Sequence, residues 1–161
     1  MKRMVIMLGV ALMLGVAPKA LAQARPDFSG TWRFNQGKSP PGIAGNTPNI
    51  PFPSQIVVTQ TPTELQVASS SLRQQPISAV YKLDGSKVTV QAPPGISETG
   101  EARFDGATVV ITSRRSFSSP AGETVVDFKE IWSLSGNVLT IEKTRTESGE
   151  ASTVKAVYDR M

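Results

Sequence analysis

The chain has 161 residues, enough for one domain, with 17 Lys and Arg against 13 Asp and Glu. It contains no cysteine and no histidine, which excludes disulfides, a lipid anchor on cysteine, a thiol nucleophile, the usual zinc sites and most Ser-His or acid-base mechanisms. No enzyme, no metal and no cofactor is therefore expected. A carboxylate-only mechanism would have to draw on Glu130 and Asp105, whose placement is not that of a paired acid-base site.

The chain opens with Met1-Lys2-Arg3, an unbroken run of apolar residues and glycine from Met4 to Val16, and the small-x-small triplet Ala20-Leu21-Ala22. This pattern predicts a secretory signal peptide over residues 1–22, with Ala22-Gln23-Ala24 as a second cleavage site, and it is too short for a comfortable membrane span. The expected location is periplasmic or extracellular, with no integral membrane span after cleavage. Lys2, Arg3 and Lys19 leave with the signal and no acid does, so the remaining chain carries 14 basic and 13 acidic residues, 14 − 13 = +1. No Lys/Arg cluster remains to argue for nucleic acid or an anionic membrane.

The expected domain covers residues 25–161. It begins with Phe28-Ser-Gly-Thr-Trp-Arg-Phe34, three aromatics and a glycine in seven residues. Gly37 to Pro53 then holds five prolines and three glycines, which rules out a helix or a central strand. It reads as a long loop, either a plain connector or a flap over one end of the fold, with Ile43, Ile50 and Phe52 favouring a loop that packs. Strand patterns follow at Ser54–Gln60, Glu64–Ser69, Ile77–Leu83, Lys87–Gln91, Thr99–Phe104 and Ala107–Phe117. Four dipeptides read as hairpin turns: Asp84-Gly85, Asp105-Gly106, Gly136-Asn137 and Ser148-Gly149. The sum is an all-β chain of about 8–10 short antiparallel strands in meander order. Curling and edge removal favour an up-and-down barrel over a two-sheet sandwich.

Two-residue loops fix the pairing of the late strands. Gly136-Asn137 sets Leu134 opposite Leu139, Trp132 opposite Ile141, Glu130 opposite Lys143 and Phe128 opposite Arg145. Ser148-Gly149 sets Arg145 opposite Ser152, Lys143 opposite Val154, Ile141 opposite Ala156 and Leu139 opposite Tyr158. Since side chains alternate, all of these share one face, while Glu142/Lys155 and Thr144/Thr153 share the other. Asp105-Gly106 would place Phe104, Ala107, Val109 and Ile111 inside, followed by Ser113, Arg115 and Phe117. The inner face is then apolar at one end and polar at the other, with Glu130, Lys143, Arg145, Arg115, Ser113 and Ser152. Two readings of the inward charges stand open. Glu130 and Lys143 form a cross-strand ion pair with the arginines reaching water at the rim. Alternatively, a water-filled cavity carries Arg115 and Arg145 at its mouth, suited to a carboxylate or other anionic headgroup.

Phe28, Gly30 and Trp32 resemble the opening strand of calycin-type barrels, the lipocalins and fatty-acid-binding proteins. Val157-Tyr158-Asp159-Arg160 resembles the terminal strand of the fatty-acid binders. With Trp132-Ser133-Leu134-Ser135 between them, the layout is similar to a group of small secreted bacterial lipocalin-like proteins. The resemblance implies that Trp32 packs at the closed end with Arg160 against its ring, a structural closure completed by Gly30. It departs at Ala156, where fatty-acid binders carry an arginine for the ligand carboxylate, so only Tyr158 carries over. The Pro-rich loop stands where those proteins insert two helices.

The expected function is a monomeric, secreted or periplasmic lipocalin-like protein binding a small apolar or amphipathic ligand, an anionic one among the candidates. The candidate ligand-binding residues are Arg115, Arg145, Glu130, Lys143, Tyr158, Ser113 and Ser152. The alternative is a non-enzymatic structural or interaction module with a filled core and no ligand.

Overall fold

A computed structural model describes residues 25–40, 52–71, 74–92, 94–120 and 122–161. The expected signal segment, its cleavage sites, and Ile43 and Ile50 of the Pro-rich loop lie outside these residues. Ten strands follow in order: β1 (Gly30–Phe34), β2 (Gln55–Gln60), β3 (Glu64–Ser71), β4 (Gln74–Lys82), β5 (Val88–Thr89), β6 (Ile96–Asp105), β7 (Thr108–Ser119), β8 (Gly122–Ser135), β9 (Val138–Glu147) and β10 (Glu150–Arg160). There is no helix among the described residues.

The strands form one antiparallel sheet in the order β4-β3-β2-β1-β10-β9-β8-β7-β6-β5. Each strand pairs with its sequence neighbour, except that β1 also pairs with β10 and β4 does not pair with β5. The first and last strands therefore join, setting Trp32 opposite Arg160 and Phe34 opposite Tyr158. Between β4 and β6 only a narrow seam remains, crossed by the single bridge Asp84–Arg103 and by Gly85 N–H donating to the Ala102 carbonyl at 3.0 Å. The barrel is nearly closed, and the calycin-like all-β architecture expected from the sequence is the one observed.

The turns explain where sequence-based pairing holds and where it slips. Gly136 has φ 57° and leads the Gly136-Asn137 loop, while Ser148 and Gly149 both take positive φ, at 52° and 86°. Those hairpins give the expected partners, Leu134 with Leu139 and Arg145 with Ser152. Asp105 is different: it ends β6 opposite Thr108, so the loop is Gly106-Ala107, with only Gly106 at positive φ. Ala107 is thus an exposed turn residue rather than an interior one. The offset is two residues, so Val109 and Ile111 keep their inward face. Asp84-Gly85 is not a hairpin loop. The Asp84 carboxylate accepts the Ser86 N–H at 2.8 Å, an Asx turn, and the chain crosses the seam to make β5 a partner of β6.

The core lies inside the barrel. Its largest fully buried side chains are Trp32, Trp132, Tyr158, Phe28, Leu65, Leu139, Ile141 and Val109. Burial of this kind contributes roughly 1.5–3 kcal/mol for each large apolar side chain.

Candidate functional site

The closed end is built from the opening motif. The Trp32 indole N–H donates to the Phe28 carbonyl at 2.9 Å, folding the chain back before β1. Phe28 meets the Trp132 ring edge-on, with centroids 6.4 Å apart. The Arg160 guanidinium lies 4.4 Å over the Trp32 ring and donates to the Ser29 carbonyl at 2.7 Å. Gly30 sits at φ 138°, and a Cβ there would come 3.0 Å from the Arg160 guanidinium. The positive φ favours glycine at this position, and a side chain there would also press on the Arg160 guanidinium. The contacts of this end are made within the protein, and the Arg160 Nε is left buried without a hydrogen-bond partner among the described residues.

Further into the barrel the register makes a belt of charge. Glu98 on β6 stands directly opposite Arg115 on β7, and Glu130 on β8 directly opposite Lys143 on β9. Both pairs close as ion pairs: Arg115 reaches Glu98 Oε2 through Nε at 2.9 Å and a terminal nitrogen at 2.6 Å. Lys143 Nζ lies 2.8 Å from Glu130 Oε1. The Trp132 indole N–H donates to the other Glu130 oxygen at 2.8 Å, because residues two apart on a strand share a face. Both cations also approach the Phe128 ring, Lys143 at 5.0 Å and Arg115 at 5.5 Å.

These neighbours set the protonation of the belt. Burial opposes ionisation of Glu130, but the Lys143 charge and hydrogen bond, the Trp132 N–H and the Arg115 field outweigh it and hold its carboxyl below the usual range. Tyr81 on β4 is pushed the other way: burial first, then the Glu130 and Glu98 carboxylates, raise its hydroxyl well above the ordinary value. Tyr158 is raised by burial and by Glu130, and its hydroxyl donates to the Pro53 carbonyl at 3.0 Å. Both tyrosines are therefore neutral hydrogen-bond donors at any ordinary pH.

The belt borders an interior cavity of about 130 Å³. One wall is apolar, with Ile56, Ile111, Trp132 and Ile141; Glu98, Arg115, Glu130, Lys143 and Tyr81 supply the polar groups, and Phe52 and Pro53 border it from the end of the Pro-rich loop. The described end of that loop does pack: Phe52 is buried. Of the residues expected at the site, Arg115, Glu130 and Lys143 line this space. Arg145, Ser113, Ser152 and Tyr158 do not. Arg145 is engaged by Glu147 of its own strand at 2.5 Å, Ser152 is exposed, and the Tyr158 hydroxyl is spent on Pro53. The two arginines thus do not share the cavity mouth, and Arg115 already has its carboxylate.

Two cavity residues escape sequence reasoning as site members. Glu98 is hidden by the two-residue offset at Asp105, which would face it with Ser113 instead of Arg115. Tyr81 shows its inward alternation, but nothing in the sequence marks its partner across the seam. That partner is Gly100 of β6, where an added Cβ would lie 2.7 Å from the Tyr81 ring. Glycine at 100 is what lets the ring lie against the opposite strand.

No protein-family model and no curated protein sequence matches this chain. Solved structures do resemble it, among them the following two. Zebrafish ileal bile acid-binding protein, solved in complex with cholic acid, superposes with a TM-score of 0.57 at 12% identity, covering 83% of this chain and 98% of that one. A secretory abundant heat soluble (SAHS) protein from Ramazzottius varieornatus gives 0.55 at 12% identity, covering 83% and 95%. The shared feature is the fold, the calycin-type barrel.

Proposed function

We propose that this chain is an exported binding protein that holds a small apolar or amphipathic molecule inside the barrel and acts on it without catalysis. The observation that carries this reading is the interior cavity of about 130 Å³, apolar on one wall and lined by hydrogen-bonding groups on the other. The complex of a bile acid-binding protein with cholic acid, on the same fold, supports a barrel of this topology as a container. Its guest is a poor guide to size here, because drug-sized ligands occupy roughly 300–1,000 Å³. The guest is either small or displaces Phe52. Export rests on the Met1–Ala22 pattern; N-terminal sequencing of the secreted product should find Gln23 or Arg25 first.

A second reading is favoured by the same small volume and by the pairing of each inward charge: an interaction module with a filled core. Native mass spectrometry of the exported protein and displacement of a fluorescent lipid separate the two. A bound mass or displacement supports the binding protein. An empty spectrum, no displacement and no thermal shift with any small-molecule panel would establish the filled core.

A further inference from the structure

We propose that the interior site takes a neutral, one-ring molecule carrying a hydroxyl group, a phenol or benzyl alcohol by class. The inference rests on the binding reading above and gives it a ligand chemistry.

Size comes first. The cavity measures about 130 Å³, close to the ~150 Å³ apolar cavity that takes up benzene. Ile56, Ile111, Trp132 and Ile141 offer such a ring an apolar wall, and aromatic contact with Trp132 favours an aromatic guest over an aliphatic one.

Charge comes second. The belt holds two carboxylates, Glu98 and Glu130, and two cations, Arg115 and Lys143, each pair closed at 2.6 and 2.8 Å. Its formal sum is zero. A carboxylate guest would add an uncompensated charge to a space where an unpaired charge is costly, whereas a neutral guest adds none.

Hydrogen bonding comes third. Tyr81 is 8% exposed and lines the cavity, yet its hydroxyl has no hydrogen-bond partner among the described residues. Glu98 is 7% exposed and takes both Arg115 bonds on Oε2, leaving Oε1 without one among the described residues. One unengaged donor and one unengaged acceptor therefore belong to residues that line the same space. A hydroxyl is a compact neutral group that can accept from the first and donate to the second. Burial and the flanking carboxylates keep the Tyr81 proton in place, so the donor persists.

The test is an NMR titration of the full exported protein with phenol, toluene and benzoate, following the Trp132 indole N–H, with the Trp32 indole as internal reference. The expected order is phenol tightest, toluene weaker and benzoate weakest. Tyr81→Phe keeps the ring on Gly100 and should weaken phenol roughly 2- to 12-fold while leaving toluene unchanged. Benzoate binding tightest, or phenol and toluene binding equally, would overturn the hydroxyl assignment while interior binding stands. Phenol unaffected by Tyr81→Phe would do the same. No response to any of the three at millimolar concentration would overturn the ligand class, and an empty native mass spectrum with no lipid displacement beside it would overturn the binding reading as well. Should Tyr81→Phe fail to fold, the order of the three probes on the unaltered protein still decides.

Discussion

Arg160 at the closed end and Lys143 in the belt both bring a positive charge inside the barrel, and the barrel uses them in opposite ways. Arg160 meets a ring face and a backbone carbonyl, with no carboxylate salt bridge among the described residues. It is a permanent plug, adapted to a guanidinium, which is more weakly hydrated than an ammonium and stacks flat. Lys143 meets Glu130, which in turn holds the Trp132 N–H, and all three border empty space. The first does not line the cavity, and the Arg160 Nε is buried there without a hydrogen-bond partner among the described residues. The second leaves polar groups facing a cavity. A cation inside a barrel is thus no sign of a ligand site by itself; what matters is whether it and its partners face a cavity.

Four substitutions would sharpen or break that contrast. Trp32→Ala removes the closed end outright. It should cost about 3–5 kcal/mol in urea unfolding, as for other buried large-to-small changes, and a cost near zero would mean that the plug is ornamental. Lys143→Met leaves Glu130 half-buried without its cation, for an expected loss of about 1–3 kcal/mol at neutral pH. Its pH dependence is the sharper readout. The folded Glu130 carboxyl lies below its ordinary value of 4.5, so it stabilises the unaltered protein above that pH, and the contribution is lost as pH falls below 4.5. In Lys143→Met, burial acts without the compensating charge and raises the carboxyl instead, so acidification should cost less stability or restore some. A parallel loss with pH in both proteins would break the assignment.

Arg160→Met keeps the apolar stem but loses the stacked charge, which should cost about 0.5–2 kcal/mol in thermal or urea unfolding and leave the Trp132 indole resonance in place. A shift of that resonance as large as for Lys143→Met would mean the two ends are one unit. Arg114→Gln is the outer control. Arg114 meets Asp127 at 2.8 Å on the solvent side, and its replacement should leave the melting temperature unchanged within error.

The contact of Trp32 with Arg160 was legible through resemblance: Gly30, Trp32 and Arg160 sit in two short motifs similar to the first and last strands of calycin-type barrels. The Glu130–Lys143 pair was legible because Gly136-Asn137 is a clean two-residue loop, and register follows from it by counting. Glu98–Arg115 was not. Asp105-Gly106 reads as a turn that wants positive φ twice, yet Asp105 stays in the strand and hands the turn to Gly106-Ala107, moving every partner by two. Asp84-Gly85 failed for a related reason: the Asp84 side chain caps its own turn, and the backbone leaves the hairpin path to cross the seam. Tyr81 could be placed on the inner face by alternation, but its role depends on Gly100, a contact across strands that share no ladder. Local turn chemistry is readable from residues; which turn variant wins is decided by the sheet.

The pairing of β1 with β10 also sets an order of events. Ser29 and Arg160 are 131 residues apart, and their contact forms only when the ends of the described sheet meet. Every other ladder joins neighbours in sequence and can zip hairpin by hairpin, but this one must close the whole meander. A chain caught before that step displays the unpaired edges of β1 and β10 in addition to those of β4 and β5 at the seam, each a template for another chain. Closure is therefore both the slowest step expected in folding and the one that covers the β1 and β10 edges, and the rate of barrel formation should track the strength of the Trp32–Arg160 end rather than that of the belt.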